Sequence, residues 1–168
     1  MNENIMIRLL SEQDVTEKYL SWMGDEEVVQ YLESRWFRHT LDSLREYVKR
    51  MNDSPNDFLF GIYTNEFGHI GNIKIGNINQ HHRFGDVGLF IGEQAVRGRG
   101  FGTEAIQLAT RYAFEELNLN KLTAGMYACN TASYKAFQKA GYRSVGFFEK
   151  HWFCKGEYVD GLIVEKIR

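Results

Sequence analysis

The period of the apolar positions changes several times along this chain, and each change marks a different kind of element. Residues 4–9, NIMIRL, read as a short strand. SEQDVTEKYLSWM then carries Val15, Tyr19 and Trp22 at helical spacing, with Ser11 placed to cap a helix. GDEEVVQYL (24–32) predicts a second short helix. Thr40 caps a third, whose face holds Leu41, Leu44, Tyr47, Val48 and Met51. After the loop NDSPND (52–57), strand-like runs cover 58–64, 69–78 and 85–92, the first two joined by a hairpin turn at Asn65–Gly68. A helical stripe returns from Phe101 to Leu117 through Ala105, Ile106, Leu108, Ala109, Tyr112 and Ala113. A strand over 122–130, a helix over 131–141 stopped by glycine, and two strands in YRSVGFFEKHWF and EYVDGLIVEKI complete the series. Helices, antiparallel-looking strands and then alternating elements predict one mixed α/β (α+β) sheet domain over residues 1–168.

Composition narrows the function. The chain is 168 residues long, 43% hydrophobic and 14% aromatic, with one proline, which suits a packed core rather than disorder. A formal net charge of -2 with mixed signs excludes a basic nucleic-acid surface. No apolar run reaches the roughly 20 residues of a membrane span, and the start has no signal-peptide h-region. Cys129 and Cys154 have neither CxxC nor zinc spacing, so reduced thiols and a cytoplasmic location are expected.

One stretch asks for a ligand. RGRGFGTEA (97–105) places three glycines and two arginines between a strand and a helix. Unpaired amides at a helix N-terminus form an anion site, glycines let the anion approach closely, and arginines suit phosphate oxygens. A tight, solvated turn is the alternative. No Walker A string occurs. A G-x-G-x-x-A match at Gly100–Ala105 lies too far behind its strand, and has too little chain after it, for a dinucleotide fold. The pair His81–His82 with Arg83 lacks a carboxylate at metal spacing and reads as a hairpin tip, with no metal expected.

Three motifs in order resemble the GNAT acyl-CoA N-acetyltransferases. They are Arg97-Gly98-Arg99-Gly100-Phe101-Gly102 after the strand VGLFIG; Asn130, Ser133, Lys139, Gly141 and Tyr142; and Gly156, Tyr158 and Asp160. Together they are similar to the RimJ/RimL-like branch, whose members acetylate protein N-termini, polyamines or amino sugars. The resemblance implies a mostly antiparallel sheet splayed at the cofactor site and acetyl-CoA as acyl donor. It implies pyrophosphate on residues 97–103, including Thr103, and the pantetheine arm on Leu89, Phe90 and Ile91. Asn130, Ser133, Phe137 and Lys139 complete the cofactor contacts.

The resemblance also implies direct transfer to an amine in a ternary complex. The family's frequent tyrosine position holds Phe137, which moves the proton donor's role to Ser133, to water, or to nothing; Tyr134 is a minor alternative. A glutamate some relatives use as base falls at Trp152, leaving Glu149 and His151 as nearest titratable neighbours. For the acceptor, Glu33, Arg35 and Trp36 in the early helices, with His82 and Asp86, are the candidates; water-mediated deprotonation is the alternative to any base. YLESRW, GNIKIG and KHWFCKGEYVD are similar to relatives associated with surface-polysaccharide synthesis, which favours a small polar amine such as a nucleotide-linked amino sugar. An N-terminal peptide comes second and a polyamine third; a non-catalytic CoA-binding sensor is the reading of another class. Exposed strand edges in the tail allow a homodimer.

Overall fold

The computed structural model describes residues 5–168, so Asn4, the first residue of the expected opening strand, lies outside them. The strands are β1 (Ile5–Leu9), β2 (Phe58–Thr64), β3 (Gly68–Asn79), β4 (Phe84–Ile91), β5 (Lys121–Tyr127), β6 (Arg143–Cys154) and β7 (Glu157–Ile167). The helices are α1 (Glu17–Met23), α2 (Glu26–Val29), α3 (Leu41–Asp53), α4 (Phe101–Glu115) and α5 (Thr131–Lys139). Single 3-10 turns stand at Glu12–Asp14, Glu33–Trp36 and Gln94–Val96.

Local chemistry explains two departures from the expected helices. Ser11 caps a turn rather than α1, because the Asp14 carboxylate accepts from the Ser11 N–H (2.7 Å) and hydroxyl (2.8 Å) and from Arg8. That closes the turn, Val15 is extended, and Thr16 then caps α1 by accepting from the Tyr19 N–H. The second expected helix shrinks to one turn, since the chain beyond Gln30 moves into the turn at Glu33–Trp36. Thr40 does cap α3, in a reciprocal pair with Ser43.

All seven strands share one sheet, in the order β1-β2-β3-β4-β5-β7-β6. Every neighbouring pair is antiparallel except β4 and β5, which run parallel and pair only from Phe84↔Lys121 to Asp86↔Thr123. Beyond Asp86 the two strands separate, and β4 continues to Ile91 while β5 continues to Tyr127. The sheet is therefore continuous at one end of this pair and open as a wedge at the other.

Apolar side chains on the two faces hold the wedge open. Ile62, Ile70, Ile73, Ile75, Ile106, Leu122 and Val164 are fully buried in the cluster that seats α4 and α5. Tyr19, Trp22, Leu44, Val48 and Leu59 form a second cluster under α1 and α3. Burying each large apolar side chain contributes about 1.5–3 kcal/mol. Trp22 lies directly on Gly92, just past the end of β4, where an added Cβ would fall 2.1 Å from its ring. Among the described residues, no helix is long and apolar enough to cross a membrane.

Candidate active site

A cavity of about 830 Å³ fills the wedge. Its walls are β4 from Val87 to Ile91, the end of β5, the N-terminal turn of α4 and the cavity face of α5. Phe90 pairs with Asn72 and turns its carbonyl toward Gly71, while the Gly92 N–H donates to Ile70 O. Phe90 thus spends its backbone groups on β3, and strand alternation turns those of Leu89 and Ile91 into the wedge. Of the Phe90 and Ile91 backbone N–H groups, only the second is turned toward the cavity.

The glycine turn supplies the cavity's polar end. Gly98 (φ 76°) and Gly100 (φ 91°) are left-handed, and an added Cβ would meet nothing at either. Backbone conformation rather than crowding selects glycine there. Gly100 is the N-cap of α4 without a side-chain cap, and the first helical bond runs from Glu104 N–H to Gly100 O. The amides of Phe101, Gly102 and Thr103 therefore have no carbonyl one turn earlier in α4, and these residues line the cavity.

The arginines behave differently from the expectation that both face an anion. Arg97 lines the cavity, but its guanidinium binds Glu27 (3.1 Å), Asp25 (3.5 Å) and the Gly92 carbonyl (3.1 Å). The acidic start of α2 has claimed its charge. Arg99 lies outside the lining, 5.5 Å from the ring centres of both Phe67 and Phe101. Lys135 and Lys139 on α5 bring positive charge to the cavity wall instead.

On α5, Asn130 Oδ1 accepts from the Ser133 N–H at 3.2 Å, and both residues line the cavity. Helix capping and cavity lining thus coexist in one pair. Phe137 is 2% exposed, meets Tyr142 edge-on at 5.0 Å and forms an apolar wall. Tyr134 packs against the main core.

The opposite end of the cavity is aromatic and acidic. Tyr31, Glu33, Tyr127 and Trp152 line it, with Tyr127 stacked on Trp152 at 5.1 Å and tilted against Tyr31 at 5.5 Å. The Tyr127 hydroxyl donates to Glu33 Oε1 (3.2 Å) and accepts from Arg35 Nη2 (2.9 Å). Arg35 also donates to the carbonyls of Phe153 (2.9 Å) and Gln30. Burial pushes the Tyr127 phenol up, and Glu33 adds to this while Arg35 opposes it, so the hydroxyl keeps its proton.

Several candidates lie elsewhere. Glu149 and His151 are exposed and outside the lining, since each lies an odd number of residues from the inward Trp152; β6 also bulges between Phe148 and Trp152. Lys150 is left-handed there (φ 48°), with its N–H held by Asp160 at 2.8 Å. The His151 ring rests on Phe148 and Trp152, and Trp152 takes the inward place. Asp86 accepts from Asn77 Nδ2 (2.6 Å) at the closed end of the wedge. His82 sits in the β3–β4 turn beside Phe84. Trp36 is 59% exposed and covered by Arg35, and neither of these two lines the cavity. No motif in the sequence points to Tyr31, Tyr127 or Trp152 as acceptor residues. Strand alternation carried a signal for one of them, since Leu122, Ala124 and Met126 share the core face of β5 and Tyr127 takes the other.

Known proteins agree with this geometry. The family profile described as the acetyltransferase (GNAT) domain matches residues 4–143. The SPbeta prophage-derived uncharacterized N-acetyltransferase YokL of Bacillus subtilis is 26% identical over 161 residues, covering 95% of this chain and 88% of that protein. The fold is similar to that of spermidine N-acetyltransferase from Vibrio cholerae, solved with CoA and spermine. Its TM-score is 0.86 at 21% identity over 99% of this chain and 96% of that one. It is also similar to the ribosomal α-N-protein acetyltransferase RimL, solved with coenzyme A, with a TM-score of 0.88 at 13% identity over 99% and 95% of the two chains. Splayed strands, glycine turn and matching profile together make this chain a member of the GNAT family of acetyl-CoA-dependent acetyltransferases.

Proposed function

We propose that the chain acetylates the primary amine of a small cationic acceptor, by direct attack in a ternary complex. The observation that carries this reading is the Glu33 carboxylate at a cavity end walled by Tyr31, Tyr127 and Trp152. A carboxylate among aromatic faces attracts an ammonium by charge and by cation–π contact. Among the described residues, Tyr31, Glu33, Tyr127 and Trp152 at this end include no cation for an anionic, nucleotide-linked sugar, and Arg35 beside them already serves three oxygens. Spermidine as acceptor of the Vibrio cholerae relative supports the same charge class.

Acetyl-CoA supplies the acetyl group and a thiolate leaving group. The unpaired amides at the start of α4 suit its pyrophosphate, and the Leu89 and Ile91 backbone groups suit the amides of its arm as an added strand would. The Ile91 N–H is a donor for a developing oxyanion. Glu33 orients the amine and passes its proton to water. Ser133 offers its hydroxyl to the departing thiolate, with Phe137 as the apolar wall behind. The test is CoA release from acetyl-CoA with polyamines, free amino sugars, nucleotide-linked amino sugars and short peptides. Cationic small amines should stimulate release, and Glu33→Gln should weaken that response without raising KM for acetyl-CoA. Stimulation by nucleotide-linked sugars alone would overturn the reading.

We further infer a homodimer through β6. This edge strand exposes Val145 (47%), Phe147 (64%) and Phe148 (52%), beside Phe153 and Tyr158. Exposed area on these five amounts to roughly 500 Å², much of the ~800 Å² per partner in a standard interface. Bulges at Ser144/Gly146 and Phe148/Trp152 interrupt edge pairing, so the contact is between side-chain faces. Glu149 and Lys150 provide both charge signs on one strand, as a two-fold, self-complementary contact requires.

A further inference from the structure

The segment 25–36 crosses the wide end of the wedge, and an arginine fastens it on each side. At its start, Arg97 Nη1 donates to Glu27 (3.1 Å), while Arg97 Nη2 lies 3.5 Å from Asp25 and donates to the Gly92 carbonyl (3.1 Å). Gly92 follows the last residue of β4, so this guanidinium joins α2 to the β4 side of the parted strands. At the other end, Arg35 Nη1 donates to the Gln30 carbonyl, which closes the turn that carries Tyr31 and Glu33. Arg35 Nη2 reaches the Tyr127 hydroxyl at the end of β5 and the Phe153 carbonyl on β6, 2.9 Å from each. Between the two fastenings Val28 and Val29 are buried in the cluster under α1 and α3, and Gln30, Tyr31 and Glu33 line the cavity.

We propose that Arg35 and Arg97 are positioning residues: together they staple this segment over the parted strands and set affinity for the amine, not for acetyl-CoA. Arg35 donates into the Tyr127 hydroxyl, so the hydroxyl's own proton is directed at Glu33 Oε1, 3.2 Å away. Losing Arg35 frees the turn and the hydroxyl, and with them the Glu33 carboxylate. The two staples differ in strength. Arg35 is half-buried, serves two carbonyls and a hydroxyl, and lies 4.4 Å from the Trp36 ring centre. The acids that Arg97 meets are 42% exposed at Asp25 and 71% at Glu27, and exposed ion pairs are weak and screened by salt. The larger effect therefore belongs to Arg35. The consequence for the amine rests on the acceptor end proposed above, whereas the fastening does not.

The test compares wild type with Arg35→Met, Arg97→Met, both together, and Asp25→Asn combined with Glu27→Gln. Amide hydrogen exchange over 25–36 reads the fastening, and initial rates of CoA release with each substrate varied read its consequence. Exchange over 25–36 should quicken in every variant, most in the double arginine variant, while β2 and β3 keep their protection. KM for the amine should rise about five- to tenfold in Arg35→Met, and about two- to fivefold in Arg97→Met. KM for acetyl-CoA should be unchanged in both. Asp25→Asn keeps a helix cap, so faster exchange in the acid pair reports the lost charge. That exposed pair also keeps the test decisive if Arg35→Met fails to fold. Unchanged exchange over 25–36 would overturn the staples. A raised acetyl-CoA KM in Arg97→Met with the amine KM kept would make Arg97 a cofactor ligand and overturn its role here. Faster exchange with the amine KM kept would uphold the fastening and overturn its link to the acceptor end.

Discussion

Glu33 is held by the Tyr127 hydroxyl while its carboxylate still faces the cavity. Glu33→Gln keeps the shape and a hydrogen-bond acceptor but removes the charge. Hydrogen bonds to charged groups contribute about 1.5–3 kcal/mol against ~1 for neutral ones, so kcat/KM for the amine should fall roughly 2- to 30-fold. Steady-state kinetics with each substrate varied separately checks this. A different residue sets the stability at acid pH. His69 is half-buried between Tyr19, Trp22 and Tyr63, with Nε2 near both Gly71 O (3.0 Å) and Asn72 Oδ1 (2.7 Å), which assigns its proton to Nε2. Burial lowers its pKa below the ordinary 6.5; bonds to Asn72 and Gly71 and the charge of Asp14 oppose the shift, and Lys18 adds to it. The unfolded chain therefore binds the proton more readily. His69 contributes stability that is present above 6.5 and is lost as pH falls through the depressed folded value. Thermal melts across this range should show a shallower acid loss in His69→Gln than in wild type.

Among the elements, the start of α4 carries the cofactor reading. Gly100→Ala forces a side chain into a left-handed conformation at a cost of about 1–2 kcal/mol, with open space around the new Cβ. The fold should survive, while KM for acetyl-CoA rises and the amine response is kept; circular dichroism and kinetics together check both halves. Gly92→Ala tests packing instead, because its Cβ would overlap Trp22. A cost of about 1–3 kcal/mol should lower Tm by roughly 2–12 °C. The element order and the glycine turn were legible because period and backbone chemistry are local. The wedge came only through family resemblance, since no local pattern says that β4 and β5 pair over three residues and then part. Nor does any pattern reveal that the start of α2 claims Arg97, which depends on the Glu27 carboxylate 70 positions away and on Asp25 beside it. At β6 the cavity-facing position is Trp152, where some relatives carry the base, and its titratable neighbours Glu149 and His151 stay outside the cavity.

At the scale of the molecule, one half of the sheet lies under α1 and α3, while the β6 edge keeps aromatic side chains exposed. A second copy covering Phe147 and Phe148 should give a dimer in sedimentation velocity, and Phe147→Asp should give a folded monomer. A monomeric wild type at high concentration would contradict that part. The central claim is acetyl transfer in the wedge to a small cationic amine. The most direct measurement is the initial rate of CoA release from acetyl-CoA over the acceptor panel, for wild type and Glu33→Gln side by side. Cationic small amines should drive release, and Glu33→Gln should weaken it while leaving KM for acetyl-CoA unchanged. Release driven only by nucleotide-linked sugars or peptides, or indifferent to Glu33, would contradict the acceptor site. Binding of acetyl-CoA without release by any amine would point instead to a CoA-binding sensor.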